Sequence, residues 1–152
     1  MTDELILSPN VEALVVQFLR DQEELTEVVG ERIYTTLPTA CEFPALRVSL
    51  FYERPVTSIP NWVTAHDVQF DSFGGPKATA WRAAEVAKAC LSQRFIGEHS
   101  FTIGASTVSG VVTDVRCWGL RDLPDTEWEP AKPRFMFTAT ITVHPSSSAS
   151  SA

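Results

Sequence analysis

Four stretches of this sequence alternate apolar and polar residues, and the loops between successive strands are too short for crossover helices. The stretches cover residues 45–53, 62–73, 107–118 and 134–144. A repeat of two is the pattern of a strand that places one face on a core. Parallel strands need a long crossover connection, whereas antiparallel strands can follow one another through short loops. The pattern therefore predicts a mainly antiparallel sheet.

The first two stretches also predict which side chains share a face. In residues 45–53, with Phe51 as the exception, one face comprises Leu46, Val48, Leu50 and Tyr52. In residues 62–73, one face comprises Thr64, His66, Val68 and Phe70, and the other Asp67, Gln69 and Asp71. His66 and Asp67 are adjacent on this strand, so they point to opposite faces. That placement argues against a catalytic His–Asp pair here.

Helical periodicity accompanies these strands. We expect Ser8 to cap a first helix, with Pro9 at its first position and an apolar face of Val11, Leu14, Val15, Phe18 and Leu19. Asp21 and Glu24 predict a capping box for a second short helix that ends at Gly30. The longest helix, residues 76–93, has a stripe of mostly small residues: Ala80, Ala83, Ala84, Ala87, Cys90 and Leu91. With a short strand at 32–36, the order α, α, β, β, β, α, β, β predicts an α+β domain with its helices on one face.

The composition fits one small domain. The chain has 152 residues, 44% hydrophobic and 20% charged, with three widely spaced cysteines that suit neither a metal site nor a disulfide framework. We expect one domain over residues 1–144 and a flexible Ser/Ala-rich tail over 145–152. The apolar runs are too short for a membrane span, and the acidic N-terminus is unlike a signal peptide, so a cytosolic product is expected. The net charge of −7 disfavours a protein that grips a nucleic-acid backbone.

Gly74-Gly75-Pro76-Lys77 lies between a predicted strand and a predicted helix, where many phosphate sites begin. The stretch lacks the spacing and the hydroxyl of a P-loop, and it is not a dinucleotide fingerprint. Pro76 also removes one backbone N–H that would hold a phosphate. The simpler interpretation is mechanical: the glycines turn the chain, Pro76 starts the helix and Lys77 is solvated.

The sequence offers little for catalysis. His66, His99 and His144 have no metal-ligand spacing, and no nucleophile or metalloprotease motif is present. Asp67 and Asp71 share a strand face and resemble an acid–base pair. On an exposed face they more often are solvated or meet the cations of a neighbouring subunit. We therefore expect a protein that is not an enzyme and needs no cofactor or metal.

Two proline-bearing segments, residues 54–61 and 119–133, are predicted to be loops that reach other copies or neighbouring proteins, because neither adds much to a core. Trp81 and Trp118 are expected in the core, whereas Trp128 is either a local anchor or an interface residue. The predicted interface residues are Arg54, Asp67, Asp71, Glu127, Trp128, Glu129 and Lys132. Of these, Trp128 is the expected anchor, and its charged neighbours tune the choice of partner.

The order and lengths of these elements resemble a known family. The stretches that carry the resemblance are VEALVVQFLRDQEELTEVVGERIYTTLP, FPALRVSLFYERPV, HDVQFDSFGGPKATAWRAAEVAKACL and PRFMFTATITV. Together they cover most of the chain from Val11 to Val143. In this order they are similar to the tail terminator, or tail completion, proteins of long-tailed bacteriophages.

The resemblance implies a virion protein, assembled in the cytoplasm of a bacterial host, that forms a ring, usually of six copies. The ring would cap the head-proximal end of the tail tube, stop its polymerisation and offer a surface to the neck proteins. No reaction or cofactor is implied. Genomic DNA would pass through the lumen without specific binding, and an acidic inner wall would let it slide.

Two other functions stay open at this stage. One is another phage neck component, such as a head-closure or stopper protein, because related α+β rings have this size. The other is a small enzyme or ligand-binding domain with its site near His66, Asp71 and Lys77. A concave pocket in which those three side chains converge would favour the second alternative.

Overall fold

A computed structural model describes residues 5–127 and 131–146. Its elements are α1 (Val11–Arg20), α2 (Glu23–Val29), β1 (Ile33–Tyr34), β2 (Ala45–Pro55), β3 (Thr64–Phe73), α3 (Lys77–Arg94), β4 (Gly97–Ile103), β5 (Ser106–Asp122) and β6 (Arg134–His144). The strands form one sheet in the order β1-β2-β3-β6-β5-β4. β1 pairs with β2 in parallel, and the other neighbouring pairs are antiparallel. The predicted α+β class and the mainly antiparallel sheet are confirmed.

The two N-terminal helices form where the apolar spacing predicts them, but both predicted caps are wrong. Asn10 caps α1, because its side chain accepts a hydrogen bond from the Ala13 N–H at 3.2 Å. Gln22 occupies the N-cap of α2, but its side chain makes no capping hydrogen bond. Glu24 instead binds Arg94 of α3, and this hydrogen bond lowers the pKa of Glu24 to about 2. The five predicted apolar residues of α1 are all buried.

α3 packs on the sheet of its own chain through the predicted stripe of small residues. All six side chains of the stripe are buried. The small side chains let the helix backbone approach closely, and the Ser72 hydroxyl of β3 donates to the Ala80 carbonyl at 2.8 Å. Beneath the helices, the rings of Phe70 and Phe137 stack at 4.6 Å. None of the helices in the described residues is long and apolar enough to cross a membrane.

The predicted assignment of β2 side chains to the two faces of the sheet is correct only up to Leu50. The register with β3 shifts between Leu50 and Tyr52, so Phe51 is the extra residue of a β-bulge. After the bulge, Tyr52 pairs with Asp67 and Glu53 with His66. Tyr52 therefore lies on the face away from the helices and is 56% exposed, contrary to prediction. A single inserted residue moves every later side chain to the other face.

The C-terminal half contains more strand than the sequence predicts. β4 is an additional edge strand, and its half-exposed side chains give only a weak apolar alternation. β5 continues to Asp122, and its extension pairs with β6. Backbone hydrogen bonds in both directions between Asp125 and Lys132 prolong the ladder. The described residues of the predicted loop, 119–127 and 131–133, are therefore mostly a continuation of the paired strands β5 and β6.

The turn between β3 and α3 supports the mechanical interpretation of the glycines. Gly74 and Gly75 have φ angles of +78° and +63°, a region that favours glycine. A Cβ on Gly74 would also lie 2.5 Å from the Cβ of Phe43. Pro76 occupies the N-cap of α3. Lys77 is exposed but not simply solvated, because its Nζ lies 2.8 Å from an Asp122 carboxylate oxygen.

Candidate interaction surfaces

The face of the sheet away from the helices, called here the open face, is polar and rich in arginine. Its residues are Arg47, Ser49, Tyr52 and Arg54 from β2, Asp67, Gln69, Asp71 and Phe73 from β3, Asp114, Arg116, Trp118 and Arg121 from β5, and Arg134, Met136, Thr138, Thr140 and Thr142 from β6. Trp118 is 52% exposed on this face, and Trp81 is 47% exposed on α3. The prediction that these two tryptophans lie in the core is wrong.

Asp71 is the centre of a charged cluster on the open face. Its carboxylate is fully buried and accepts hydrogen bonds from Arg134 Nε at 2.9 Å, Arg134 NH2 at 2.6 Å and Arg47 NH2 at 3.1 Å. Gln69 donates a further bond at 3.0 Å. Both guanidinium groups lie over the ring of Phe73. The cluster holds three strands together and fixes both arginines in place.

A second series of polar side-chain contacts crosses the open face from β2 to β5. Arg54 NH1 lies 2.8 Å from one oxygen of Asp67, and the Thr140 hydroxyl donates to the other oxygen at 2.7 Å. The indole N–H of Trp118 donates to the Thr140 hydroxyl at 3.3 Å. This series of contacts orients the exposed Trp118 against the sheet. Both aspartates thus bind arginines of their own chain, so the expectation that they are solvated is wrong, whereas a contact with another subunit stays a prediction.

The tip of the β2–β3 loop and the N-terminal segment beside it are apolar and uncharged, and the charged residues Glu53 and Arg54 lie directly behind the tip. We call this surface the apolar end and define it by Leu5, Leu7, Val56, Ile59 and Trp62. These side chains are 86%, 72%, 55%, 53% and 45% exposed. The segments that carry them, residues 5–11 and 55–65, contain no charged residue. Contiguous exposed apolar surface on a soluble domain marks an interaction site.

Hydrogen bonds hold the N-terminal segment against the β2–β3 loop. The Asn61 side-chain amide donates to the Ile6 carbonyl at 3.0 Å. The Ser8 hydroxyl lies 2.9 Å from the Thr64 hydroxyl and 3.2 Å from Nε2 of His66. The two parts of the apolar end are therefore one surface.

His66 lies at the base of this surface and is fully buried. Burial lowers the pKa of His66 below its ordinary value, and the nearby carboxylates of Glu53 and Asp67 offset part of this effect. The folded protein therefore favours the neutral ring. Its Nδ1 lies 3.5 Å from Glu53 and has no hydrogen-bond partner among the described residues.

We expect acid to weaken the fold through His66. An unfolded histidine takes up a proton near pH 6.5, whereas folded His66 takes it up only at lower pH. The free energy of unfolding should therefore fall as pH decreases from about 6.5 towards the folded pKa. Urea denaturation at pH 7 and pH 5.5 would measure this loss, which should be smaller in His66→Gln than in the wild type. An equal pH dependence in the two proteins would contradict the assignment.

The opposite end of the sheet, at the β5–β6 hairpin, is charged. We call it the charged end and define it by Asp122, Asp125, Glu127, Lys132 and Arg134. A cavity of about 370 Å³ opens there between the hairpin and the Asp71 cluster. Lys132 places its ammonium 3.7 Å from the centre of the Phe43 ring. Trp128 and Glu129, also predicted at this interface, lie outside the described residues.

The predicted interface residues thus occupy two regions. Arg54, Asp67 and Asp71 lie on the open face, and Glu127 and Lys132 lie at the charged end. Sequence reasoning selected residues 54–61 as an interface but missed Leu5 and Leu7. The sequence did contain a signal for these two residues, because the apolar run before Ser8 fits neither the first helix nor a strand.

The constellation suggested for an enzyme does not converge. His66 lies on the helix-covered face, Asp71 lies on the open face, and Lys77 binds Asp122 at the start of α3. Each of the three side chains has a structural partner of its own. Among residues 5–127 and 131–146, no group of His, Cys, Asp and Glu side chains is arranged to hold a metal ion.

A solved structure shares this fold. The similar chain belongs to the virion of a native gene transfer agent particle, and it matches with a TM-score of 0.57. The match covers 88% of this chain and 94% of that chain, at 21% sequence identity. At this identity the likeness concerns the fold. No protein-family model matches the sequence, and no curated protein matches it.

Proposed function

We propose that this protein is a virion component that caps the head-proximal end of a phage tail tube as a ring of six copies. The observation that carries the proposal is the contrast between the two ends of its sheet. One end is apolar and uncharged over residues 5–11 and 55–65, whereas the other combines acidic and basic side chains. The fold shared with a chain of a gene transfer agent virion supports a place in such a particle.

Two different ends suit a cap for a physical reason. A tube built from stacked identical rings presents the same growing face after each addition, so its polymerisation is open-ended. A cap must match that face on one side and present a different surface on the other. A chain whose second end was complementary to its first, as in a tube subunit, would only continue the tube.

The overall charge fits the same role. The charge of −7 per chain disfavours strong binding of DNA phosphates, so genomic DNA would pass through the ring without being held. The role requires no reaction, and we propose that the protein is not an enzyme. The separation of His66, Asp71 and Lys77 is consistent with that proposal.

Electron microscopy of lysates from a phage that lacks this gene would test the proposal. We expect filled heads beside unattached tails that are overlong or unfinished, because nothing closes the growing tube. Tails of normal length joined to heads would contradict it. Finished tails of normal length that fail to join, with leaking heads, would favour a neck stopper instead. A gene copy supplied in trans is the control and should restore joined particles.

A further inference from the structure

The charge of the chain is distributed unevenly between the two sides of the sheet. Among the described residues, the open face has five of the chain's 12 Lys and Arg residues but only three of its 19 Asp and Glu residues, a net charge of +2. Since the whole chain has −7, the residues outside the open face have a net charge of −9. A basic face attracts acidic surfaces, and in a ring the nearest acidic surface is that of another copy.

Exposed cations of the open face lie on the outer half of β5. The pairing of β4 with β5 stops at Val112, so residues 114–122 of β5 pair only with β6 among the described strands. Arg116, Trp118 and Arg121 lie along this free edge, and we call these three residues the β5 strip. The Arg116 side chain is 79% exposed, and Trp118 is 52% exposed.

The β5 strip suits contacts through side chains and not the addition of another strand. Two register shifts, one after Val112 and one after Trp118, interrupt this edge, and such irregularities protect an edge from pairing. Arg121 forms no ion pair with any described residue. Its guanidinium donates to the Gly119 carbonyl at 3.1 Å and contacts the Met136 sulfur at 3.9 Å. Exposed Trp and Arg side chains are those most enriched among the strongest contacts of protein interfaces.

An acidic surface lies on the other side of the sheet. Residues 21–31, which form α2 and its two flanks, contain five acidic residues and no basic one, and we call this segment the α2 surface. Within it, Glu24 pairs with Arg94 of α3. The other four acidic residues are exposed and form no ion pair within the described part of the chain: Asp21, Glu23, Glu27 and Glu31. Because α2 packs on α1 and α3, it lies opposite the open face.

The β5 strip and the α2 surface also match in length. Arg116 and Arg121 pair with Thr140 and Met136 of β6, which are four residues apart, so the two arginines lie about 13 Å apart along the strand. α2 has seven residues and is about 10 Å long, and its acidic residues continue on both flanks. Both arginines can therefore meet carboxylates of one α2 surface, with Trp118 between them.

We propose that the β5 strip of one copy binds the α2 surface of the next copy. The contact joins opposite sides of the same chain, and repetition of such a contact generates a ring when the rotation closes. This inference rests on the proposed ring and identifies the surfaces that close it. The apolar end and the charged end stay available for other proteins.

Charge reversal on either surface tests the contact. Arg116→Glu with Arg121→Glu changes the β5 strip, and Glu23→Lys with Glu27→Lys changes the α2 surface. All four residues are exposed, so the monomers should keep their thermal midpoints. In sedimentation velocity across a concentration series, each double variant should raise the midpoint concentration of assembly by about tenfold or more, because like charges then face each other. Glu42→Lys reverses an exposed acid outside both surfaces and should assemble like the wild type.

An equimolar mixture of the two double variants gives the sharpest result. The reversed β5 strip of one variant fits the reversed α2 surface of the other, and the unchanged surfaces of the two variants also fit each other. At a concentration at which neither variant assembles alone, the mixture should assemble with a midpoint within about threefold of the wild type. Impaired variants whose mixture does not recover would contradict the pairing of these two surfaces.

Three other results would overturn the contact. One is assembly that both double variants leave unchanged, and another is a wild-type chain that stays monomeric throughout. The third is duplex DNA binding that the reversed β5 strip abolishes without an effect on assembly, which would assign the strip to nucleic acid. None of these results contradicts the capping role, which the deletion phage tests separately.

Discussion

Replacing Asp71 with Asn is expected to lower the free energy of unfolding by about 3 kcal/mol. The substitution leaves Arg47 and Arg134 without the buried carboxylate that accepts their hydrogen bonds, and the side chains of these arginines are only 33% and 20% exposed. Removing one partner of a buried ion pair is costly because the charge left behind lacks compensation. Equilibrium denaturation in urea would measure the loss.

Asp67→Asn is the matched control on the same strand and face. Its ion pair with Arg54 is more exposed, with side-chain exposures of 15% and 41%. Solvent screens such pairs, so the expected loss is about 1 kcal/mol or less. Equal losses in the two variants would show that the Asp71 cluster does not stabilise the sheet as described.

The second large effect is expected on assembly and not on folding. Ile59→Asp places a charge in the middle of the apolar end, where Ile59 is 53% exposed. The monomer should lose no more than about 0.5 kcal/mol, since substitutions at exposed sites are usually that mild. Binding of the partner that covers the apolar end should weaken by about 2 kcal/mol or more if Ile59 is a central contact.

Phage complementation would measure this effect. A plasmid copy with Ile59→Asp should fail to restore joined particles to the deletion phage, although the protein is folded and present in normal amount. Trp81→Asp introduces the same charge at a residue of similar exposure on α3, away from the apolar end, and should complement. Full complementation by Ile59→Asp would exclude the apolar end as an essential surface.

Most of the fold follows from local periodicity. The α3 stripe, the α1 apolar face and the alternation of β6 each describe one element packed on one core, so sequence spacing specifies them. The residues whose positions were predicted wrongly depend on contacts between distant parts of the chain. Phe51 bulges next to Leu50, whose N–H binds Glu12 of α1, and no local pattern contains either feature. This bulge puts Tyr52 on the open face.

The interaction surfaces were less predictable than the fold. Asp67 and Asp71 were recognised as neighbours on one face, but their partners depend on register. Antiparallel pairing places Arg47 directly opposite Asp71 and brings Arg134 next to it on the diagonal. The apolar end also forms through pairing of distant segments, because Asn61 binds the Ile6 carbonyl. The sequence therefore predicted only the β2–β3 loop part of the apolar end and not the N-terminal part.

The position of the protein in the particle is the most direct test of the capping role. An epitope tag at the C-terminus, checked by complementation, would allow antibody labelling followed by cryo-electron microscopy of whole virions. We predict one ring of six copies at the head-proximal end of the tail tube, with the apolar end against the tube. Copies distributed along the tube, or located only in the capsid, would contradict it.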